Sequence, residues 1–166
     1  TAGSILWQYQ PGAGELDTSP GVCDLNGDGT LDIIVCSTAG RIAALDAQGK
    51  QQWYFDARQT ISNPPAVWKA RQQPRVTVVT NPGKVICLDA GSGSRLWDYS
   101  LPGEVDWGST APVAADMDGD GVVELMVADR IGNLVCLSDD GSTQWTARCA
   151  GGINSAPALA DLDADG

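Results

Sequence analysis

The 166-residue sequence predicts an all-β fold built from a repeat of about 45 residues, because two sequence markers recur in step. A glycine followed four residues later by tryptophan occurs at Gly3/Trp7, Gly49/Trp53, Gly93/Trp97 and Gly141/Trp145. A small or polar residue followed by proline recurs at Ser19-Pro20, Pro64-Pro65, Ala111-Pro112 and Ala156-Pro157. No stretch of the chain has a helical period. A fixed period of this length indicates a repeat architecture.

Each period is predicted to hold four short strands. In the first full unit, β-branched or aromatic segments separated by turn residues cover roughly residues 20–23, 31–36, 41–46 and 51–55. Four strands per repeat of this length are typical of a β-propeller blade, a small sheet that stacks on its neighbours around an axis. The repeated tryptophan lies on the last strand after a glycine turn. We therefore expect it to fill the space between adjacent blades rather than to bind a ligand.

The two markers also predict how the chain is divided. We expect residues 1–10 to be the last strand of a blade, and residues 153–166 to be the start of a further blade. Between them we expect three full blades, at residues 17–56, 61–100 and 107–148. Because propellers have four to eight blades, the chain is expected to be a segment of a larger ring, with three full blades and parts of a split one.

An acidic loop between the first and second strands is the most specific chemical signal. Carboxylate or amide oxygens at loop positions one, three and five, glycine at six, a carbonyl at seven and an acid at nine suit a hard cation. Oxygen ligands favour calcium over zinc or copper. The predicted ligands are Asp24, Asn26, Asp28, Thr30 and Asp32 in the first blade and Asp116, Asp118, Asp120, Val122 and Glu124 in the third. A third, truncated copy supplies Asp161, Asp163 and Asp165.

The alternative interpretation of these loops is a polar turn without metal. Turn chemistry accepts any mixture of Asn, Ser and Gly, but it does not require an acid at position nine, where an apolar strand begins. The second blade is an internal control, since Lys69 and Arg75 stand where the other blades have their first and last acids, with Arg71 between them. We expect that blade to have fixed positive charges in place of the metal, and a structural role for them rather than an anion site.

Two family resemblances follow from these motifs. The acidic loop and the strand after it, at residues 24–35 and 116–127, resemble the FG-GAP or VCBS repeats of integrin-like propellers. Residues 44–53 and 88–97, each ending in the repeated tryptophan, look like the tryptophan-docking repeats of pyrroloquinoline quinone (PQQ) propellers and of the related outer-membrane assembly scaffold. Both resemblances identify the fold but say little about the function, because such repeats occur in adhesins, receptors, lyases, dehydrogenases and scaffolds.

Composition excludes several functions. The chain has no histidine, which excludes Ser-His-Asp and Cys-His catalysis and histidine-ligated zinc. Ten basic residues against 21 acidic ones, a net charge of -11, argue against nucleic acid as a partner. The three acidic loops hold ten of the acids, so the rest of the chain is nearly neutral and the excess charge belongs mostly to the predicted metal sites. No apolar run is long enough to predict a membrane span.

A few residues break the repeat pattern. Trp107 lies in the loop that connects two blades and is a candidate ligand contact, with packing onto the neighbouring blade as the alternative. Trp68 replaces the small residue found just before the acidic loop in other blades, and is expected to fill the volume that the loop occupies there. The five cysteines include no C-x-x-C pair, and those predicted on strands, Cys23, Cys36, Cys87 and Cys136, are expected to be small buried residues. The sequence leaves undecided whether Cys23 and Cys36 form a disulfide.

The favoured hypothesis is a non-enzymatic, calcium-binding module outside the cytoplasm, whether extracellular, at the cell surface or periplasmic. It would serve protein or glycan binding, adhesion or scaffolding, and neighbouring subunits could complete the ring. The alternative is a propeller enzyme, either a PQQ-dependent dehydrogenase or a polysaccharide lyase. A quinone enzyme needs a central pocket with its own calcium, a carboxylate base and a stacking tryptophan, and no residues outside the repeat supply that set. A lyase needs a basic residue paired with acids in a groove.

Overall fold

A computed structural model of the protein describes residues 3–105 and 110–160. The described residues form three four-stranded antiparallel sheets, each with its strands in chain order. Blade 1 contains β1 (Gly21–Cys23), β2 (Asp32–Cys36), β3 (Arg41–Leu45) and β4 (Gln51–Asp56). Blade 2 contains β5 (Ala66–Ala70), β6 (Gln73–Val79), β7 (Lys84–Asp89) and β8 (Arg95–Ser100). Blade 3 contains β9 (Val113–Ala115), β10 (Glu124–Ala128), β11 (Asn133–Leu137) and β12 (Thr143–Arg148).

The predicted all-β propeller with four-stranded blades is confirmed. The strands of blade 1 lie within one residue of the segments expected from the sequence. The first strands of successive blades are neighbours, since β1 lies beside β5 and β5 beside β9. The register between the third and fourth strands shifts at the same point of every blade, directly after the third-strand residue that faces the repeated tryptophan. The repeat in sequence is therefore a repeat in backbone geometry.

Two apolar clusters hold the blades together, and each spans a junction between neighbours. The first joins blade 1 to blade 2 and includes Ile34, Val76 and Leu88. The second joins blade 2 to blade 3 and includes Val85, Leu125 and Trp68. The Trp68 indole N–H donates to the Thr77 hydroxyl at 2.9 Å, so this large side chain is buried with its polar atom satisfied. Each sheet buries both faces only by stacking, which explains why the middle strands are apolar along nearly their whole length.

The repeated tryptophans dock between blades as predicted. The indole N–H of Trp53 donates to the carbonyl oxygen of Ala90 at 2.7 Å, and that of Trp97 to Asp139 at 2.9 Å. A side-chain carbon at Gly93 would lie 2.5 Å from the Trp53 ring, so the glycine leaves room for the indole. Trp7 docks in the same way on Ala47. Trp145 is 42% exposed, and no turn of the described residues covers it in this manner.

The two ends of the described chain are not strands. Residues 3–20 and 149–160 contain no strand, although residues 1–10 were expected to be the last strand of a blade and 153–166 the start of another. A strand needs a neighbour to complete its hydrogen bonds, and none of the described strands pairs with residues 3–20 or 149–160. Residues 3–10 are held instead through side chains, including the Tyr9 hydroxyl, which donates to Gln51 at 2.8 Å.

Candidate metal loops between the first and second strands

The acidic loops of blades 1 and 3 are residues 24–32 (loop 1) and 116–124 (loop 3), and each joins the first strand of its blade to the second. The acid at position one organises the loop. In loop 1 the Asp24 carboxylate accepts hydrogen bonds from the backbone N–H groups of Gly27 at 2.7 Å and Gly29 at 3.0 Å. In loop 3 the Asp116 carboxylate accepts two bonds of 2.9 Å from the corresponding glycines, at positions four and six. The two loops therefore share one fold.

Positions three and five repeat a second motif, in which a side-chain oxygen accepts from the backbone N–H two residues later. Asn26 accepts from Asp28 at 2.9 Å, and Asp28 accepts from Thr30 at 2.7 Å. The equivalent bonds in loop 3 measure 3.2 Å at Asp118 and 2.7 Å at Asp120. The Thr30 N–H, together with the Asn26 amide, holds the pKa of the Asp28 carboxyl below its ordinary value. Asp28 is thus kept in the charged form that a cation requires.

The acid at position nine is buried and ties the loop to the blade. Asp32 and Glu124 are 4% and 1% exposed. Each accepts a hydrogen bond from the backbone N–H at position two, from Leu25 at 3.0 Å and from Met117 at 2.9 Å. Glu124 also accepts from the Gln144 amide at 3.5 Å, which connects loop 3 to the outer strand β12. Gln144 carries no sequence signal, because it comes close to the loop only through sheet pairing.

The side chains at positions one, three and five of loop 3 converge. Oxygen atoms of Asp116, Asp118 and Asp120 lie within 4.8 Å of one another, and all three side chains are exposed. Glu124 is not part of this group. In loop 1 the residue at position three is Asn26, which offers a neutral amide oxygen and whose Nδ2 donates to Asp28 at 2.9 Å. Thr30 and Val122 occupy position seven, where the predicted ligand is a backbone carbonyl.

Four of the predicted site residues lie outside the described part of the chain. They are the three acids of the truncated loop and the candidate ligand contact in the connection between blades, namely Asp161, Asp163, Asp165 and Trp107. Their predicted roles stay predictions.

Blade 2 replaces the acidic loop with a tight hairpin turn. Ala70 pairs with Gln73, so Arg71 and Gln72 alone form the turn, both with positive φ, at 46° and 73°. Positive φ at both central residues is the geometry of a type I′ turn, which matches the twist of the strands beside it. Arg75 forms an ion pair with Asp89 at 3.4 Å, within its own blade. The blade therefore closes its first hairpin without a place for a cation.

One buried carboxylate was not anticipated from the sequence. Asp129, fully buried in the turn between β10 and β11, accepts from the Gly103 N–H at 2.8 Å and from the Asn133 amide at 2.7 Å. It thereby fastens the connection between blades 2 and 3 to the third blade. The equivalent positions in blades 1 and 2 hold Ser37 and Thr80. The sequence signal that could have identified Asp129 is therefore an acid at a position where the other blades have a hydroxyl residue.

The described residues also form a cleft of about 670 Å³ between the outer parts of blades 1 and 2. Arg58, Lys84 and Arg95 line it, beside Phe55. Two of these cations share one carboxylate, since Asp98 lies 2.8 Å from Lys84 and 3.0 Å from Arg95. The hydrogen bond from Lys84 holds the pKa of Asp98 below its ordinary value. Asp98 therefore neutralises part of the positive charge that lines the cleft.

Residues 38–117 match the sequence model of a family described as the outer membrane protein assembly factor BamB. This segment contains the docked tryptophans of blades 1 and 2. The match supports the PQQ-like part of the expected resemblance over these residues. The FG-GAP or VCBS part of the expected resemblance stays a prediction.

Solved structures support the same fold. BamB from Moraxella catarrhalis superposes with a TM-score of 0.65 at 26% identity, over 87% of this chain and 40% of that protein. A europium-containing methanol dehydrogenase gives a TM-score of 0.64 at 17% identity, over 87% of this chain and 27% of the enzyme. The second likeness concerns the fold alone.

A sequence relative comes from a different functional class. The lambda-carrageenase of Pseudoalteromonas carrageenovora is 35% identical over 69 residues, which are 40% of this chain and 6% of that enzyme. The lambda-carrageenase of a Pseudoalteromonas species matches to the same extent. The chain thus spans less than half of each of these proteins, and a shared propeller does not transfer an activity.

Proposed function

We propose that this chain is a non-enzymatic β-propeller module whose acidic loops bind calcium, and that it works outside the cytoplasm in binding a protein or glycan or as a scaffold. The observation that carries the proposal is the shared geometry of loops 1 and 3. Both present oxygen atoms at positions one, three and five around backbone N–H groups that are already satisfied, and in loop 3 the three carboxylates lie within 4.8 Å of one another. Carboxylates gathered this closely at an exposed site repel one another unless a cation lies between them.

Calcium fits the donor set better than other common cations. The side-chain donors at the predicted positions are carboxylate and amide oxygens, with neither imidazole nor thiolate, and hard cations prefer such ligands. Calcium accepts irregular coordination by six to eight oxygens, whereas magnesium requires a near-ideal octahedron. A loop that offers oxygens from alternate residues, a backbone carbonyl and solvent therefore suits calcium. Asp161, Asp163 and Asp165 are proposed to begin a third loop of this kind.

The location follows from the affinity of such sites. Exposed loops of this class in extracellular modules bind calcium with dissociation constants of about 10⁻⁴ to 10⁻³ M, a concentration range found outside the cytosol. The resemblance of residues 38–117 to an outer membrane protein assembly factor supports a periplasmic or extracellular place for the module. Among the described residues, no helix is long and apolar enough to cross a membrane.

The partner is proposed to be a protein or a glycan, or a neighbouring subunit. BamB is an assembly factor by the description of the matching family, which supports a scaffold role over catalysis. The chain has no histidine, and its acids are concentrated in the loops that we assign to the metal. A polyanion such as nucleic acid is therefore not the proposed ligand.

The match to lambda-carrageenase favours a second candidate, a propeller segment of a polysaccharide-degrading enzyme. The test is an incubation of the protein with lambda-carrageenan and with an uncharged polysaccharide, followed by measurement of reducing ends. We expect no increase in reducing ends, although the protein is allowed to bind the polysaccharide without cleaving it. Release of oligosaccharides at a rate above the blank would replace the module hypothesis with the enzyme.

Isothermal titration of the chelator-treated protein with calcium tests the metal assignment. We expect two sites from the complete loops, with one lost in Asp24→Asn and the other lost in Asp116→Asn, since both acids stand at position one of their loop. Asp56→Asn is the matched control, because it removes the same charge from an exposed acid whose carboxylate accepts from the Arg58 N–H outside the loops. Equal binding by all four proteins, or no binding by any, would contradict the assignment.

A further inference from the structure

Loop 1 is not only a surface loop, since its second residue is inserted into the next blade. Leu25 is 5% exposed and belongs to the apolar cluster between blades 1 and 2, together with Leu88 and Ala90 of blade 2. Its backbone N–H donates to the buried carboxylate of Asp32 at 3.0 Å. The conformation of the loop therefore fixes the position of a side chain that blade 2 needs for its packing.

The same part of blade 2 receives the docked tryptophan of blade 1. The carbonyl oxygen of Ala90 accepts the Trp53 indole N–H at 2.7 Å, and Trp53 packs against the cluster that contains Leu25. Gly93, in the same turn, lies against the Trp53 ring. Loop 1 and Trp53 thus both contact the turn between β7 and β8.

The junction between blades 2 and 3 is built without an acidic loop. Ala70, beside the type I′ turn, is 4% exposed in the second apolar cluster. The adjacent Arg71 guanidinium lies 3.7 Å from the carboxylate of Asp139, across the junction. The carbonyl of Asp139 accepts the Trp97 indole N–H at 2.9 Å. A fixed cation of the protein therefore stands at this junction, beside the turn where the tryptophan docks.

We infer that calcium in loop 1 controls the docking of blade 2 on blade 1, whereas the junction between blades 2 and 3 is held independently of the metal. The inference rests on the proposed calcium site. In this inference the bound ion keeps loop 1 closed, and its loss displaces Leu25 from the cluster and loosens the turn that carries Ala90. The junction at Trp97 has no such dependence, because Arg71 does not dissociate from the chain.

Fluorine NMR of the protein labelled with 5-fluorotryptophan tests this inference on the full chain. Single Trp53→Phe and Trp97→Phe variants assign the two resonances. On addition of chelator we expect the Trp53 resonance to shift toward that of the exposed Trp145 and to become accessible to a soluble paramagnetic quencher. The Trp97 resonance should keep its position and its protection. Restoring calcium should reverse the change at Trp53.

Loop variants identify which site is responsible. Asp24→Asn should place Trp53 in its calcium-free position at every calcium concentration, and Asp28→Asn provides a second disruption of the same loop. Asp116→Asn, the matched change at position one of loop 3, should leave the response of Trp53 to calcium intact. Equal shifts of Trp53 and Trp97 on chelation, or a Trp53 response that Asp116→Asn abolishes, would overturn the inference.

Calorimetry on the same samples separates the two possible failures. If calcium binds to loop 1 while the Trp53 resonance is unchanged by chelation, the coupling between loop and junction is wrong and the calcium site stands. If the titration detects no calcium binding, the proposed metal function is wrong, and the inferred coupling is rejected with it.

Discussion

The substitution Gly93→Ala tests the packing of tryptophan between blades, which holds the fold together. Gly93 has a φ of 71°, and an added side-chain carbon would lie 2.5 Å from the ring of Trp53, too close for any real contact. The left-handed backbone costs an alanine about 1–2 kcal/mol. Displacing the ring breaks the Trp53 hydrogen bond to Ala90, worth about 1 kcal/mol, and reduces apolar contact at the junction. We expect a total loss of about 3 kcal/mol in the free energy of unfolding.

Thermal unfolding followed by circular dichroism measures this effect. For a chain of this size, about 3 kcal/mol corresponds to a fall in Tm of about 6–12 °C. The matched control is Gly91→Ala in the same turn, where the φ is ordinary and the closest atoms to the added carbon are 3.7 and 3.8 Å away. The control should change the Tm by less than about 2 °C. If the two variants unfold at the same temperature, the docking account of the glycine is incorrect.

Other predictions concern the buried loop residue and the thiols. Leu25→Ala should lower the free energy of unfolding by about 2–5 kcal/mol in denaturant titration, whereas Leu31→Ala, 59% exposed in the same loop, should change it by less than about 0.5 kcal/mol. In the native protein a thiol reagent at pH 8 should label exposed Cys149 before any buried cysteine; modification of a buried thiol at the same rate would contradict the structure. Burial raises the pKa of Cys36 to about 12 and of Cys87 to about 11. Because these thiols ionise more easily in the unfolded chain, stability should fall as pH rises from about 9 toward 11, and Cys36→Ala should weaken that dependence.

The architecture was predictable because a propeller repeats its strongest signals. The repeated glycine and tryptophan reflect one kind of contact, in which the indole of one repeat packs over the turn glycine of the next. The period of the sequence is therefore the period of the fold. The acidic loops were predictable for a similar reason, since side chains at alternate positions converge within one short segment. Local spacing determines both features.

Contacts between blades that have no repeated marker in the sequence were not predictable. The inward insertion of Leu25 and the approach of Arg71 to Asp139 require the relative position of two sheets, and nothing in the local sequence encodes it. The ends of the chain illustrate the same limit. Residues 3–10 have a strand-like sequence with the repeated tryptophan, yet they form no strand, because pairing is a property of the neighbour as well as of the segment.

The excess negative charge of the chain has a specific location rather than a general one. Ten of the 21 acidic residues belong to the three loops, and the remaining acids nearly balance the ten basic residues. In blade 2, where the loop is replaced by a type I′ turn, the same part of the chain contributes Lys69, Arg71 and Arg75. Blades with the long loop thus carry acids there, whereas the blade with the tight turn carries basic residues. This difference is the physical basis for assigning a cation to the acidic loops.

The most direct test of the central claim is the thermal stability of the protein with calcium and with excess chelator. At about 10 mM calcium, a site with a dissociation constant of about 10⁻⁴ M stabilises the folded state by about 2.7 kcal/mol, so two filled loops should raise the Tm by about 10 °C or more. Magnesium at the same concentration should give a much smaller rise. Identical unfolding curves with calcium and with chelator would contradict the claim that these loops hold a metal that stabilises the propeller.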